Sequence, residues 1–295
     1  PAIRGRFRSR PVDAIVAEAR ALLRAGSREL NLVAQDTTAF GRDRRANDEL
    51  IVLLRALDGL DGHFWIRILY GYPSLVSDAL LDTVTASRHI CRYFDVPLQH
   101  SHPDLLRAMR RADTVKAVAD LPRRIRRAIP DAVLRTTFLV GFPGERDAHF
   151  AHLLDYVAEA RFDHVGVFAY SPEEGTAAAG LPGMPSPEVA DERQRRLLRA
   201  QRRIVAENRR GLVGSEAEAL LLRPAPPVGG RPAWEARLAR QAPEVDGVTR
   251  VTGAPAVAVP GDWLRVVVAG GRGYDLRAEA VSPAARRPRR GKGRT

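Results

Sequence analysis

Along the first 210 residues the apolar positions switch repeatedly between helical spacing and short continuous runs. In "VDAIVAEARALLRAG" the side chains of Val12, Ile15, Val16, Ala19, Leu22 and Leu23 fall on one face of a helix, and Gly26 supplies a stop. The next stretch, "ELNLVAQ", reads as a short buried strand. The alternation continues with a helix near 47–58, strand "FWIRILY", a helix near 76–88, strand "YFDVPLQ" and helical residues over about 103–128. Strand "VLRTTFLVGF", a helix near 146–160 and strand "HVGVFAY" complete it. Five strands joined by crossover helices predict α/β architecture, a parallel sheet or an incomplete barrel. Pro122 falls inside the 103–128 pattern and is expected to kink or split that helix, because proline has no N–H to donate.

Beyond these elements, a long amphipathic helix over about 187–210 is expected to face solvent. From Gly211 to Val281 short β-like pieces broken by Pro and Gly predict a small β-barrel. Residues 282–295, "SPAARRPRRGKGRT", show no apolar periodicity and are expected to be a disordered basic tail. The organisation read from the chain is therefore 1–210, 211–281 and 282–295.

Composition changes this picture little. No apolar run approaches the roughly 18 residues that span a membrane, so no membrane partner and a cytoplasmic protein are the expectation. The formal charge of +12 suggests nucleic acid until its placement is considered. Arg4, Arg6, Arg8 and Arg10 at one end, and Arg286, Arg287, Arg289, Arg290, Lys292 and Arg294 at the other, carry most of it, and the body between is nearly neutral. A single cysteine, Cys91, excludes a disulfide framework and any site that needs several thiolates from this chain.

In parallel α/β folds the chemistry sits at the carboxyl ends of the strands, and the polar residues cluster there: "QDTT", "YPS", "QHSH", "GFPGE" and "SPEEGT". "RTTFLVGFPGE" places Gly141, Phe142, Pro143 and Gly144 in a tight turn before Glu145 opens a helix. It reads either as a cradle for a ligand or as a sterically demanding turn. Gln35, Asp36, Thr37 and Thr38 could hold an amine or carboxylate, or Asp36 or Thr37 could cap a helix. His100 and His102 read as hydrogen-bonded structural residues, with no metal-ligand spacing, and Cys91 as a small buried hydrophobe.

The segments "IRGRFRSRP", "NLVAQDTTAFG", "RILYGYP", "DVPLQHSHPDLLRAMRR", "RTTFLVGFPGE", "FDHVGVFAYSPEEGT" and "ARQAPEVDGVT" stand in an order and spacing that resemble the radical S-adenosylmethionine methylthiotransferases. The resemblance covers residues 1–281. It is strongest to the branch that modifies an aspartate of a small-subunit ribosomal protein, which "QAPEVDG" also resembles. The tRNA-modifying branch typically has Gln-Asn-Val where this chain has Gln-Asp-Thr, and Pro-Val-Gln-Ser where it has Pro-Leu-Gln-His. "MRRADT" departs from the family, with Ala112 and Asp113 where glycine or a basic residue is usual.

The resemblance implies a partial (β/α) radical-SAM barrel followed by a small TRAM β-barrel, the first barrel strand being missing here. It implies S-adenosylmethionine as cofactor, with Gln35, Asp36 and Thr37 near its methionine moiety. Gln99, Arg135 and the Gly141–Glu145 turn are placed around its ribose, adenine or sulfonium. It also implies [4Fe–4S] clusters held by thiolates on a loop and a domain preceding Pro1. This chain lacks those cysteines and is expected to be inactive alone. The implied partner is the ribosomal protein, with ribosomal RNA contacted through the TRAM barrel and basic tail. A tRNA methylthiotransferase and a non-catalytic ribosome-binding or RNA-binding remnant are the alternatives, and no proton or hydrogen donor is named.

Overall fold

The computed structural model describes residues 5–45 and 48–281; the expected basic tail at 282–295 lies outside them. Five parallel strands form the α/β part: β1 (Glu29–Leu32), β2 (Trp65–Ile68), β3 (Tyr93–Asp95), β4 (Val133–Val140) and β5 (His164–Ala169). β1 pairs with β2, and β3, β4 and β5 pair in order. A bridge between Ile66 and Ile90 joins the two groups into one curved, open sheet. Helix α1 (Val12–Arg24) leads into β1, and α2 (Glu49–Asp58), α3 (Asp78–Ala86), α4 (Pro103–Ala108), α5 (Val115–Ala128) and α6 (Asp147–Ala160) make the crossovers. Their apolar faces bury Leu54, Leu57, Leu106, Val118, Ile125, Leu153 and Val157 against the outer face of the sheet.

β4 shows how the period of two sorts side chains. Leu134, Thr136, Phe138 and Val140 are buried under the helices, whereas Arg135, Thr137 and Leu139 are half-buried toward the hollow of the sheet. Among the described residues no strand pairs with the outer edge of β1. An apolar cleft of about 400 Å³ follows that edge, lined by Phe7, Ile15, Leu22, Leu30, Leu32 and Phe40.

The 103–128 region differs from the reading of its sequence. The helical run does break, but at Arg110 instead of Pro122. Arg110 takes a left-handed conformation (φ 58°), and the Arg111 N–H turns back to the Leu106 carbonyl, ending α4. Pro122 stays inside an unbroken α5. The Val118 carbonyl, which Pro122 cannot serve, accepts the Tyr156 hydroxyl from α6 at 2.6 Å. Tyr156→Phe is therefore expected to cost about 1–3 kcal/mol, the penalty for orphaning a buried carbonyl, and less in a Pro122→Ala background. Urea unfolding of the two single variants and the double variant measures the difference.

Helix α7 (Pro187–Leu212) is also less exposed than its sequence suggests. Ala190, Arg193, Leu197, Gln201, Ile204 and Val205 form a buried stripe, and Gln194 and Gln201 donate to the carbonyls of Val167 and Phe162. After it come β6 (Glu216–Val228), β7 (Arg231–Leu238), β8 (Thr249–Thr252), β9 (Trp263–Arg272) and β10 (Asp275–Ala280). They close into a barrel in the order β10-β8-β7-β6-β9 around Leu221, Leu238, Val251, Val266 and Leu276.

The small barrel packs beneath the amino-terminal ends of the parallel strands, where Trp65, Cys91, Tyr93, Val133, Leu220 and Ala242 form a shared apolar cluster. Two buried charge clusters flank it. Glu29 pairs with Arg67 at 2.7 Å and with Arg237 of β7. Asp246, in the loop before β8, accepts from Tyr93 Oη and Arg135 Nη1, both at 2.7 Å. Burial holds the His164 imidazole beside Asp246 below its ordinary pKa, against the opposite pull of Asp246 and Asp163. An unfolded chain takes up this proton near pH 6.5, and the folded one resists it. Stability should thus be fully present above that pH and fall as the pH drops through it. The urea midpoint is expected to fall between pH 7 and 5.5, with a smaller slope in His164→Phe, where the new ring can stack on Tyr274 as His164 does.

Candidate functional site

The carboxyl ends of the five strands converge opposite the small barrel. At the end of β1, Asp36 Oδ1 accepts from the Ala39 N–H at 3.1 Å and from Thr38 Oγ1 at 2.6 Å, capping a single helical turn. Thr37 is buried; its N–H donates to the Tyr70 carbonyl and its hydroxyl to the Leu69 carbonyl. Thr38 Oγ1 accepts from the Tyr72 N–H, so this turn is bound to the end of β2 by three hydrogen bonds. Gln35 is exposed and its amide makes no hydrogen bond among the described residues. Asp36 and Thr37 thus shape the turn, whereas the Gln35 side chain stands exposed beside it.

Tyr70 and Gln99 stand at the ends of β2 and β3, both in the left-handed region at φ 59° and 69°. Residues other than glycine hold that conformation where their surroundings enforce it, and such positions gather at functional sites. Gln99 is pinned by its backbone, donating to the Thr137 carbonyl and accepting from the Leu139 N–H. Its side chain lines a cleft of about 340 Å³ with Met109, Arg110, Arg111, Leu139, Phe142 and Leu181.

The Gly141–Glu145 turn forms the wall beside this cleft. Gly141 has φ 76°, and a Cβ there would stand 2.5 Å from the Cβ of Ala190, so α7 forbids any side chain. Phe142 and Pro143 are buried, while Gly144 is exposed and open in front. Glu145 does not face the cleft. Its buried carboxylate accepts from the Gly141 N–H and from Arg193 Nη1 at 3.1 Å, with His100 Nε2 at 3.4 Å. It braces the turn from behind.

Arg135 does not join this group. It lies six residues before Gly141, about 20 Å along the strand at about 3.3 Å per residue, beyond the reach of an arginine. Its guanidinium instead pairs with Asp246 at 2.7 Å and faces Asp95 at 3.6 Å. Strand position decides this. Arg135 is near the start of β4, and only the last residues of a strand reach the carboxyl face.

Sequence reasoning missed Arg111, although "AMRRADT" contains it. Its guanidinium lies 4.8 Å over the Tyr72 ring, and Nη2 donates to the Pro97 carbonyl at 3.2 Å. Burial lowers its pKa, against the pull of Tyr72, Asp113 and Asp36. Asp113, the departure noted in that segment, accepts from Tyr72 Oη and Ser74 Oγ and so ties this region to the end of β2. Its signal was the helix ending at Arg110, which swings Arg111 back over the strand ends. Glu173 and Glu174 of "SPEEGT" are exposed on the loop after β5.

Residues 1–157 match the family described as the Radical SAM superfamily. The chain belongs to the radical SAM superfamily. In the small barrel of this radical SAM chain, residues 213–281 match the TRAM domain. It is similar to the ribosomal protein uS12 methylthiotransferase RimO of Geobacter sulfurreducens, 41% identical over 286 residues, 96% of this chain and 62% of that protein. The protein of the same name from Syntrophus aciditrophicus is 44% identical over 287 residues, with 96% and 62% covered. The radical SAM chain thus spans somewhat under two thirds of the length of these relatives.

The family implies S-adenosylmethionine and an iron–sulfur cluster. The strand ends have room for the first: Gln99 and the apolar wall of Phe142 line a cleft of about 340 Å³, Gly144 is exposed on the turn beside it, and Gln35 is exposed at the end of β1. They do not fit the second. Cys91 is the only thiol of the radical SAM chain, is buried at the opposite end of the sheet, and burial pushes it up to about 11. A cluster takes several accessible thiolates. No helix among the described residues is long and apolar enough to cross a membrane.

Proposed function

We propose that this chain is the S-adenosylmethionine-binding and substrate-docking part of a cytoplasmic methylthiotransferase that modifies an aspartate of a small-subunit ribosomal protein. What carries the reading is the similarity to the named uS12 methylthiotransferases over 96% of the chain. Bound S-adenosylmethionine supplies a sulfonium, the source of both a methyl group and a latent radical. The chain's own residues bind and orient it. Gln35 and Gln99 offer amides to its polar groups, and Phe142 packs against its apolar surface. The backbone from Gly141 to Gly144 admits close approach, and Asp36, Thr37 and Glu145 hold the two turns in shape. Arg135 holds no part of the cofactor. With Cys91 its one thiol, the chain turns over no substrate by itself. The open edge of β1 offers a place for one more parallel strand.

The small barrel supports a protein partner over stacked bases. Trp263 packs edge to face on Trp65 and His63, and Tyr274 stacks on His164, so both rings are already engaged with the α/β part. Contact with ribosomal RNA through the barrel and the basic tail is then electrostatic and steeply salt-dependent.

Calorimetric titration with S-adenosylmethionine tests the pocket. The unaltered chain should bind it, and Gln99→Ala should weaken binding about tenfold, the loss of roughly one well-placed hydrogen bond. No binding by the unaltered chain overturns the assignment. Anisotropy titrations with the substrate loop as a labelled peptide and with a tRNA anticodon stem-loop separate the two methylthiotransferase readings. Preference for the stem-loop overturns the ribosomal-protein one.

A further inference from the structure

The "QAPEVDG" segment lies outside the strand-end pocket, under the opposite face of the sheet, and yet a continuous set of polar contacts leads from it to the pocket. We infer that Asp246 is a positioning residue: from the small barrel it restrains Arg135, and so leaves Asp95 free to fix the end of β2 from which the Thr37 turn hangs. The inference rests on the reading of that turn as part of the S-adenosylmethionine pocket.

The contacts run in order. The Asp246 carboxylate is fully buried, and both oxygens are used. Oδ2 accepts from Tyr93 Oη at 2.7 Å and from the Ala242 N–H at 2.8 Å. Oδ1 accepts from Arg135 Nη1 at 2.7 Å and lies 3.1 Å from His164 Nδ1. Asp95 Oδ1 stands 3.6 Å from Arg135 Nε, a distance at which the two attract without bonding. The other oxygen, Asp95 Oδ2, accepts from the Tyr70 N–H at 3.2 Å, and the Asp95 carbonyl accepts from Gly71. Tyr70 is the left-handed residue whose carbonyl receives the Thr37 N–H at 3.0 Å.

Two carboxylates compete for one guanidinium, and Asp246 holds it closer by 0.9 Å, the difference between 3.6 and 2.7 Å. Without the Asp246 charge, Arg135 closes on Asp95, the other carboxylate beside its guanidinium. Asp95 then turns from the Tyr70 N–H, and Tyr70 loses the side-chain contact that helps hold it left-handed. The relay therefore acts on Thr37 and Tyr70. It leaves Gln99 alone, whose backbone is tied to β4 at Thr137 and Leu139.

Amide hydrogen exchange on the full chain reads this without requiring turnover. In Asp246→Asn the Tyr70 and Thr37 amides are expected to exchange about tenfold faster, while those of Gln99 and Leu139 stay within about twofold. S-adenosylmethionine affinity should fall with them. Asp246→Glu, which keeps the charge, should restore part of the protection, and Arg135→Lys should give the same pattern more weakly. Arg240→Ala removes a different link between the two modules, Arg240 Nη2 to Asp163 Oδ1 at 3.0 Å, and should leave Tyr70 and Thr37 unchanged. Unchanged exchange at those two amides in Asp246→Asn overturns the inference. So does faster exchange that Arg240→Ala reproduces, since that marks general loosening. Absence of cofactor binding in the unaltered chain counts against the pocket, and the exchange pattern still decides the relay.

Discussion

Glu145→Ala is expected to destabilise the chain by about 3–5 kcal/mol and to abolish S-adenosylmethionine binding, because it strands a buried arginine and frees the turn that walls the pocket. Arg193 is almost entirely buried, and its Nη1 has only Glu145 to meet: the carboxylate and the backbone carbonyl, both at 3.1 Å. Its Nη2 reaches the exposed Asp147 at 2.8 Å, which cannot compensate a charge inside the protein. The Gly141 N–H loses its acceptor in the same step. Glu145→Gln keeps the size and an acceptor oxygen for Gly141 but removes the charge, so it should fall between the variant and the parent. Urea unfolding monitored by tryptophan fluorescence, beside calorimetry with the cofactor, measures both effects. An alanine variant within 1 kcal/mol of the parent would show that the brace contributes little.

A change of similar size is expected from Glu29→Ala at the other end of the sheet. Arg67 is fully buried, and besides Glu29 it has the Ala239 carbonyl at 2.8 Å and the Tyr93 ring at 4.7 Å. Removing Glu29 leaves Arg67 and Arg237 as two uncompensated cations at one buried seam, a loss of about 3–5 kcal/mol. Replacing all three together, Glu29→Leu with Arg67→Met and Arg237→Met, should recover most of it, since a well-packed apolar seam does not need to desolvate charge. Thermal unfolding of the single and triple variants compares them. A triple variant no better than Glu29→Ala would refute this account of the loss.

The order of elements could be read from the chain because apolar periodicity is local. The alternation along "VLRTTFLV" and the helical face from Val12 to Leu23 are properties of a few neighbouring residues. What escaped depended on partners distant in sequence. Pro122 breaks nothing because Tyr156, on another helix, serves the carbonyl it abandons. Arg135 looks like a pocket residue by motif, but Asp246 claims it from 111 positions away. The buried stripe of α7 is hard to see because two of its members, Arg193 and Gln201, are polar and become buried only by bonding to Glu145 and the Phe162 carbonyl. At the strand ends, spacing placed Gln35, Gln99 and the Gly141 turn each just beyond the carboxyl end of a strand. It could not tell a side chain that faces a ligand from one that holds the backbone, the distinction that separates Gln35 from Asp36 and Phe142 from Glu145.

The charged floor also limits how this architecture can be rebuilt. A β-barrel joined through greasy contacts alone could be exchanged for another of similar outline. This one carries Asp246 and Arg237 into positions where they meet Arg135, Tyr93, His164 and Glu29. Transplanted beneath a sheet that lacks those residues, it would bring two unmatched charges to a dry surface and be rejected. Chimaeras between such proteins should therefore succeed when the first half of β4 and the loop before β8 come from the same parent.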